Sequence, residues 1–138
     1  MDFLCDESLS LADQLFEKGY QLNSNEKYDE AISAFQEVLA IDARHVRAQT
    51  YLGMAYMGLE QFEEGNLALQ KALEIDPNMG LAHYALAVCY TRKKDPNLIL
   101  ARQHLTLAEQ SGYNVPSGFS MQLQQLEIKA RKNEKNLG

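Results

Sequence analysis

Residues 49–77 read QTYLGMAYMGLEQFEEGNLALQKALEIDP, and the landmarks of this stretch return elsewhere in the chain at a fixed spacing of 34 residues. Gly19, Gly53 and Ala87 are each 34 apart, Ala31 precedes Gly65 by 34, and Leu39-Ala40-Ile41-Asp42 recurs 34 later as Leu73-Glu74-Ile75-Asp76. A period of this length marks stacked supersecondary units, none of which can bury its apolar face alone. Within each period the apolar residues recur at helical spacing. Gly19, Ala31, Gly53, Gly65, Ala87 and Ala101 stand where the paired backbones must approach closely. Phe35, Leu69, Leu105, Tyr56 and Tyr90 fill the space shared with the next pair. Ala101 follows Gly65 by 36 residues instead of 34, which places a two-residue insertion in the turn Lys93-Lys94-Asp95-Pro96-Asn97.

These patterns predict about seven helices, over residues 11–24, 28–41, 45–58, 62–75, 79–93, 96–111 and 117–133. Ser10 with Asp13 three residues on can cap the first helix, and Asp95 before Pro96 offers a cap followed by proline at the first helical position. Asp29-Glu30 and Glu63-Glu64 open second helices, where negative charge suits the helix N-terminus. In the last helix Phe119, Leu123, Leu126 and Ala130 form one stripe, followed by Lys129, Arg131, Lys132 and Lys135 near the C-terminal end. Such a helix closes the apolar face that a final repeat would otherwise expose. The organisation expected is a lead-in over 1–11, units over 12–45, 46–79 and 80–115, and a capping helix and tail over 116–138, forming one domain.

With 138 residues, 46% hydrophobic and 23% charged, the chain can bury a real core. The formal charge of −6 argues against a nucleic-acid partner, which would be met by cations. Acid is concentrated early: residues 1–79 carry 15 acidic and 5 basic side chains, and residues 80–138 carry 4 acidic and 8 basic. No apolar run approaches the ~20 residues of a membrane span. Asp2, Asp6 and Glu7 stand where a signal peptide would be basic and then apolar, so the reading is a cytoplasmic protein without membrane insertion. Cys5 and Cys89 are too few and too distant for a disulfide framework, and reduced thiols are expected.

The middle unit, Gln49-x2-Leu52-Gly53-x2-Tyr56 followed by Gly65-x3-Leu69-x2-Ala72 and Pro77, resembles the tetratricopeptide repeat. The first unit follows with Gly19-x2-Leu22 and Ala31-x3-Phe35, and the third with Leu86-Ala87-x2-Tyr90 and Ala101-x3-Leu105-x2-Ala108. Leu15, Gln49 and His83 occupy the early position where the family often has an aromatic. The resemblance implies an all-α, right-handed α-solenoid of three such units with a C-terminal capping helix. It also implies that the first helix of each unit lines a concave surface that binds a peptide or a helical segment of a partner protein. Carried onto this chain, the partner-binding residues are Phe16, Tyr20, Arg47, Thr50, Tyr51, Met54, Met57, Leu81, Tyr84 and Val88, a mostly apolar lining.

One branch of the family grips chaperone C-termini with a carboxylate clamp of cations and asparagine. Phe16, Tyr20, Tyr51, Leu81 and Ala85 stand at those positions here, so that clamp is missing. In plan the chain also resembles the class II chaperones of type III secretion, which hold an apolar client segment.

Phosphate-binding, dinucleotide-binding, nucleophile-elbow and zinc-protease motifs are absent from the sequence. His83 and Cys89 lie about 240° apart around one helix and cannot form a catalytic pair. His45, His83 and His104 share no metal-ligand spacing. The expectation is a protein-interaction adaptor with no catalytic residue, metal or cofactor, its partner an apolar or amphipathic protein segment. Homo-oligomers are left open.

Overall fold

A computed structural model describes residues 10–137, and Cys5, Asp2, Asp6, Glu7 and most of the expected lead-in lie outside the described residues. The described residues form seven helices: α1 Leu11–Ser24, α2 Tyr28–Ile41, α3 Val46–Gly58, α4 Phe62–Ile75, α5 Gly80–Arg92, α6 Leu98–Gln110 and α7 Ser117–Leu137. The class is all-α, and no helix among the described residues is long and apolar enough to cross a membrane. The chain divides into two compact units at Pro77–Asn78.

In the first unit α1 packs on α2, α3 on α4, and α2 on α3. Three-residue turns join α1 to α2 and α3 to α4, too short for anything but an antiparallel hairpin. The 34-residue period is visible in the backbone itself. Glu26 and Glu60 both take φ 60, and in the following residue the Lys27 and Gln61 amides each reach back five residues, to the Leu22 and Tyr56 carbonyls, at 2.9 Å. The Cβ that Gly19 lacks would lie 2.7 Å from Phe35 Cε1, and the one Gly53 lacks 2.6 Å from Leu69 Cγ. Both positions therefore hold glycine because a ring or branched carbon one helix away fills that space. Phe16, Ala31, Phe35, Val38, Ala48 and Leu52 form the core of this unit.

In the second unit α5 packs on α6, and α6 on α7. The turn between α5 and α6 has five residues where the other pairs have three, which is the two-residue insertion read from the spacing. Ala87, Ala101, Leu105, Phe119 and Leu123 make its core, with Tyr84, Val88 and Val115 against it. Phe119 and Leu123 are thus the part of the terminal stripe that seals the last pair. Arg102 on α6 holds Glu127 on α7 through two hydrogen bonds, one from Nε at 3.2 Å.

Helix ends follow their local chemistry. Ser10 Oγ accepts from the Asp13 amide at 3.1 Å and caps α1. Asp29 and Glu30, and Glu63 and Glu64, lie in the first turns of α2 and α4. The cap expected at Asp95 is corrected: Asn97 caps α6, its Oδ1 accepting from the Leu100 amide at 3.0 Å. The Asn97 amide is first tied to the Tyr90 carbonyl at 2.9 Å, so Pro96 is held in the turn and the helix starts after it.

Candidate functional site

The residues assigned to partner binding lie on α1 and α3 in the first unit and on α5 in the second. Of those on α1 and α3, Phe16, Tyr20 and Tyr51 gather into one aromatic cluster. Phe16 packs 5.7 Å from Phe35 and 5.6 Å edge-on to Tyr51, and Tyr20 meets Tyr51 edge-on at 5.3 Å. Edge-to-face contact sets the positive rim of one ring against the negative face of the other, and buried pairs of this kind add ~0.5–1.5 kcal/mol beyond area. His45 stacks on Phe16 at 5.2 Å, and the Arg47 guanidinium lies 4.5 Å above the same ring. His45 also caps α3: its Nδ1 accepts from the Ala48 amide at 3.0 Å. That fixes the ring proton on Nε2, which faces Asp13 Oδ1 at 3.7 Å.

Burial divides the assigned residues. Phe16, at 2% exposure, and Met57, at 6%, are core, which corrects the expectation that both line an open surface. Phe16 is covered by His45, Arg47 and Tyr51, and Met57 lies against Gly65, where its Cγ occupies the room a side chain at 65 would need. Thr50 is fully buried and donates to the Val46 carbonyl at 2.8 Å, so it too is withdrawn from the surface. Arg47 is exposed, and Tyr20, Tyr51 and Met54 are half-buried, leaving an accessible apolar face backed by rigid rings.

On α5, Leu81, Tyr84 and Val88 are half-buried and Ala85 is buried. Tyr84 stacks on Tyr113 at 5.5 Å and meets Phe119 edge-on at 5.4 Å, so it also belongs to the seal between α5 and α7. Burial, helped by Tyr113, pushes its phenol above the ordinary value of 10.0 and keeps it neutral.

The residues at the family's early aromatic position find partners that spacing alone does not show. Gln49, 7% exposed, donates to the Ala68 carbonyl at 3.2 Å. His83, equally buried, meets His104 with Nδ1 atoms 3.1 Å apart and rings stacked at 5.4 Å. Burial, and then the neighbouring His83, lowers the His104 pKa below its ordinary 6.5. Two histidines far apart in sequence are therefore joined, where the sequence offered no shared spacing. Among the described residues no group of three or more His, Cys, Asp or Glu side chains is placed to hold a metal ion.

Tetratricopeptide-repeat profiles match residues 22–66 and 52–97. Sperm-associated antigen 1 of Rattus norvegicus is 34% identical over 93 residues, which is 62% of this chain and 10% of that protein. The chain spans about a tenth of the length of the first curated relatives it matches. Among solved structures, the first TPR of Spaghetti (RPAP3), bound to an HSP90 peptide, superposes with a TM-score of 0.75 at 19% identity, covering 85% of this chain and 93% of that one. The type III secretion chaperone SycD of Yersinia enterocolitica, in complex with a peptide of the translocator YopD, gives 0.73 at 22% identity, covering 93% of this chain and 97% of that one. Profiles, glycine contacts and the repeated turn geometry agree, and the chain belongs to the tetratricopeptide-repeat family, with the all-α solenoid fold of such repeats.

Proposed function

We propose that the aromatic face of α1 and α3 receives an apolar or amphipathic segment of another protein, so that the chain works as a cytoplasmic adaptor and not as an enzyme. The observation that carries this reading is the Tyr20–Tyr51 pair, half-exposed and 5.3 Å apart, set on the buried rings of Phe16 and Phe35. A pre-arranged aromatic surface loses little conformational freedom on binding, which is why such residues serve as anchors. Met54 beside it adds a flexible apolar arm that can fit different side chains. Leu81, Tyr84 and Val88 supply a similar lining on α5. Peptides occupy the similar folds of Spaghetti and SycD, which supports a peptide-sized ligand here. Without cations at the clamp positions, the segment is held by its apolar side chains and not by a terminal carboxylate.

The test is affinity capture from the source cell, read by mass spectrometry, with wild type compared against Tyr20→Ala/Met54→Ala. A partner retained by wild type and lost from a variant with unchanged circular dichroism supports the reading; equal capture by both contradicts it. The alternative is a secretion-type chaperone that keeps its client soluble, a reading favoured by the extent of the SycD match over both chains. Co-expression separates the two, since a chaperone raises the soluble yield of the captured protein and an adaptor does not.

A further inference from the structure

We propose that copies of this chain associate head to tail, the basic C-terminal end of α7 in one copy docking on the acidic groove between α1 and α2 of another. The groove encloses about 210 Å³. Leu15 and Leu22 of α1 and Ala34 of α2 form its floor, with Glu30, Ser33 and Glu37 exposed along one side and Lys18 on the other. It is a cleft of mixed lining, with an aliphatic floor and a rim whose two glutamates outweigh Lys18, in the half of the sequence that holds 15 acidic and 5 basic side chains.

The other surface comes from helix length. α7 has 21 residues and α6 has 13, so at ~1.5 Å per residue α7 is longer by roughly 12 Å. Phe119 and Leu123 are buried and Glu127 is held by Arg102, but every residue from Arg131 to Asn136 is exposed. Ile128, 42% exposed, lies among Arg131, Lys132 and Lys135. One surface is thus a cleft with a net acidic rim, and the other an exposed isoleucine within a basic frame. Charge complementarity selects a second copy as the occupant, because this chain supplies both signs, one in each compact unit.

A contact between two different patches leaves one face open on each terminal copy, so growth continues past the dimer unless a ring closes. Exposed ion pairs contribute little each and are screened by salt, so the association is weak and salt-sensitive. It uses neither Tyr20 nor Tyr51 and is independent of the partner-binding reading.

Sedimentation velocity tests this with the full chain, from about 5 to 500 µM protein at about 0.05 M and 0.5 M salt. The expected result for wild type is a sedimentation coefficient that rises with concentration at low salt and ceases to rise at high salt. Glu30→Lys/Glu37→Lys and Lys132→Glu/Lys135→Glu should each weaken association by about tenfold or more. Mixed in equal amounts, the two variants present opposite charges at both contacts and should associate again. Wild type that stays monomeric throughout, variants that associate as wild type does, or a mixture that stays monomeric would each overturn the proposal. All four substituted side chains are exposed, and unchanged circular dichroism confirms that the variants fold.

Discussion

A methyl group on Gly53 would lie 2.6 Å from Leu69 Cγ and 3.0 Å from the Gly65 carbonyl oxygen. Leu69 is fully buried, and the carbonyl belongs to a helix backbone, so neither can move aside cheaply. Gly53→Ala should cost ~1–3 kcal/mol by overpacking, and Gly53→Leu more. Gly118 has no atom within 4 Å of its missing Cβ, so Gly118→Ala should be neutral or stabilising by up to ~1 kcal/mol. Thermal melts of the three variants check both statements, and a Gly53→Leu midpoint equal to wild type would remove the register on which the fold reading rests. The His83–His104 pair gives a second residue-scale prediction. The Nδ1 atoms lie 3.1 Å apart, and burial first and then the neighbouring His83 disfavour a charge on His104. His104 has a folded pKa below 6.5, so the unfolded chain takes up its proton first as pH falls. Its contribution is unaffected above pH about 6.5, turns unfavourable as pH drops below it, and levels off once the folded pKa is passed. Urea midpoints at two pH values on either side of 6.5 should show a smaller acid loss in His104→Gln than in wild type. An equal loss would mean that protonation of His104 is not linked to folding.

Element limits were legible in the sequence wherever a local signal sets them. Ser10 and Asp13 mark the start of α1, the acidic pairs mark α2 and α4, and the lengthened turn before α6 shows as a 36-residue interval. The cap of α6 was misplaced because Asp95-Pro96 and Asn97 are both plausible caps. The hydrogen bond from Asn97 to Tyr90, seven residues back, decides between them and has no local signature. Site residues were legible as a helix face but not as accessible surface. Whether Phe16 is open depends on Arg47, His45 and Tyr51, which come from beyond α2. The His83–His104 contact arises from packing of α5 on α6 and escapes any search for spacing. For α7 the prediction concerns Phe119 and Leu123, whose burial completes the core against Ala101 and Leu105. Truncation after Val115 exposes that face, removes the Tyr84–Phe119 contact and breaks the Arg102–Glu127 pair. The shortened chain should aggregate or lose its cooperative melt, as size-exclusion chromatography and calorimetry would show. A soluble, monomeric truncation melting as wild type does would mean that α7 seals nothing.

Across the whole molecule, the fold was readable because a 34-residue period relates Gly19 to Gly53, Ala31 to Gly65 and the turn at Glu26 to the turn at Glu60, and each repeat constrains the others. The partner was not, because an apolar surface accepts many sequences and its selectivity lies in shape. In the proposed mode, binding rests on apolar burial at Tyr20, Tyr51 and Met54, with charge secondary. Its most direct test is the dissociation constant of the captured partner segment, measured from about 0.1 M to 1 M salt, across which the Debye length falls from ~10 Å to ~3 Å. For wild type the constant should stay nearly level across that range. Tyr20→Ala should raise it about 30-fold, equivalent to ~2 kcal/mol for the loss of an aromatic anchor. Binding that weakens tenfold or more with salt while Tyr20→Ala leaves it unchanged would rule out the aromatic face and move the site to a charged surface.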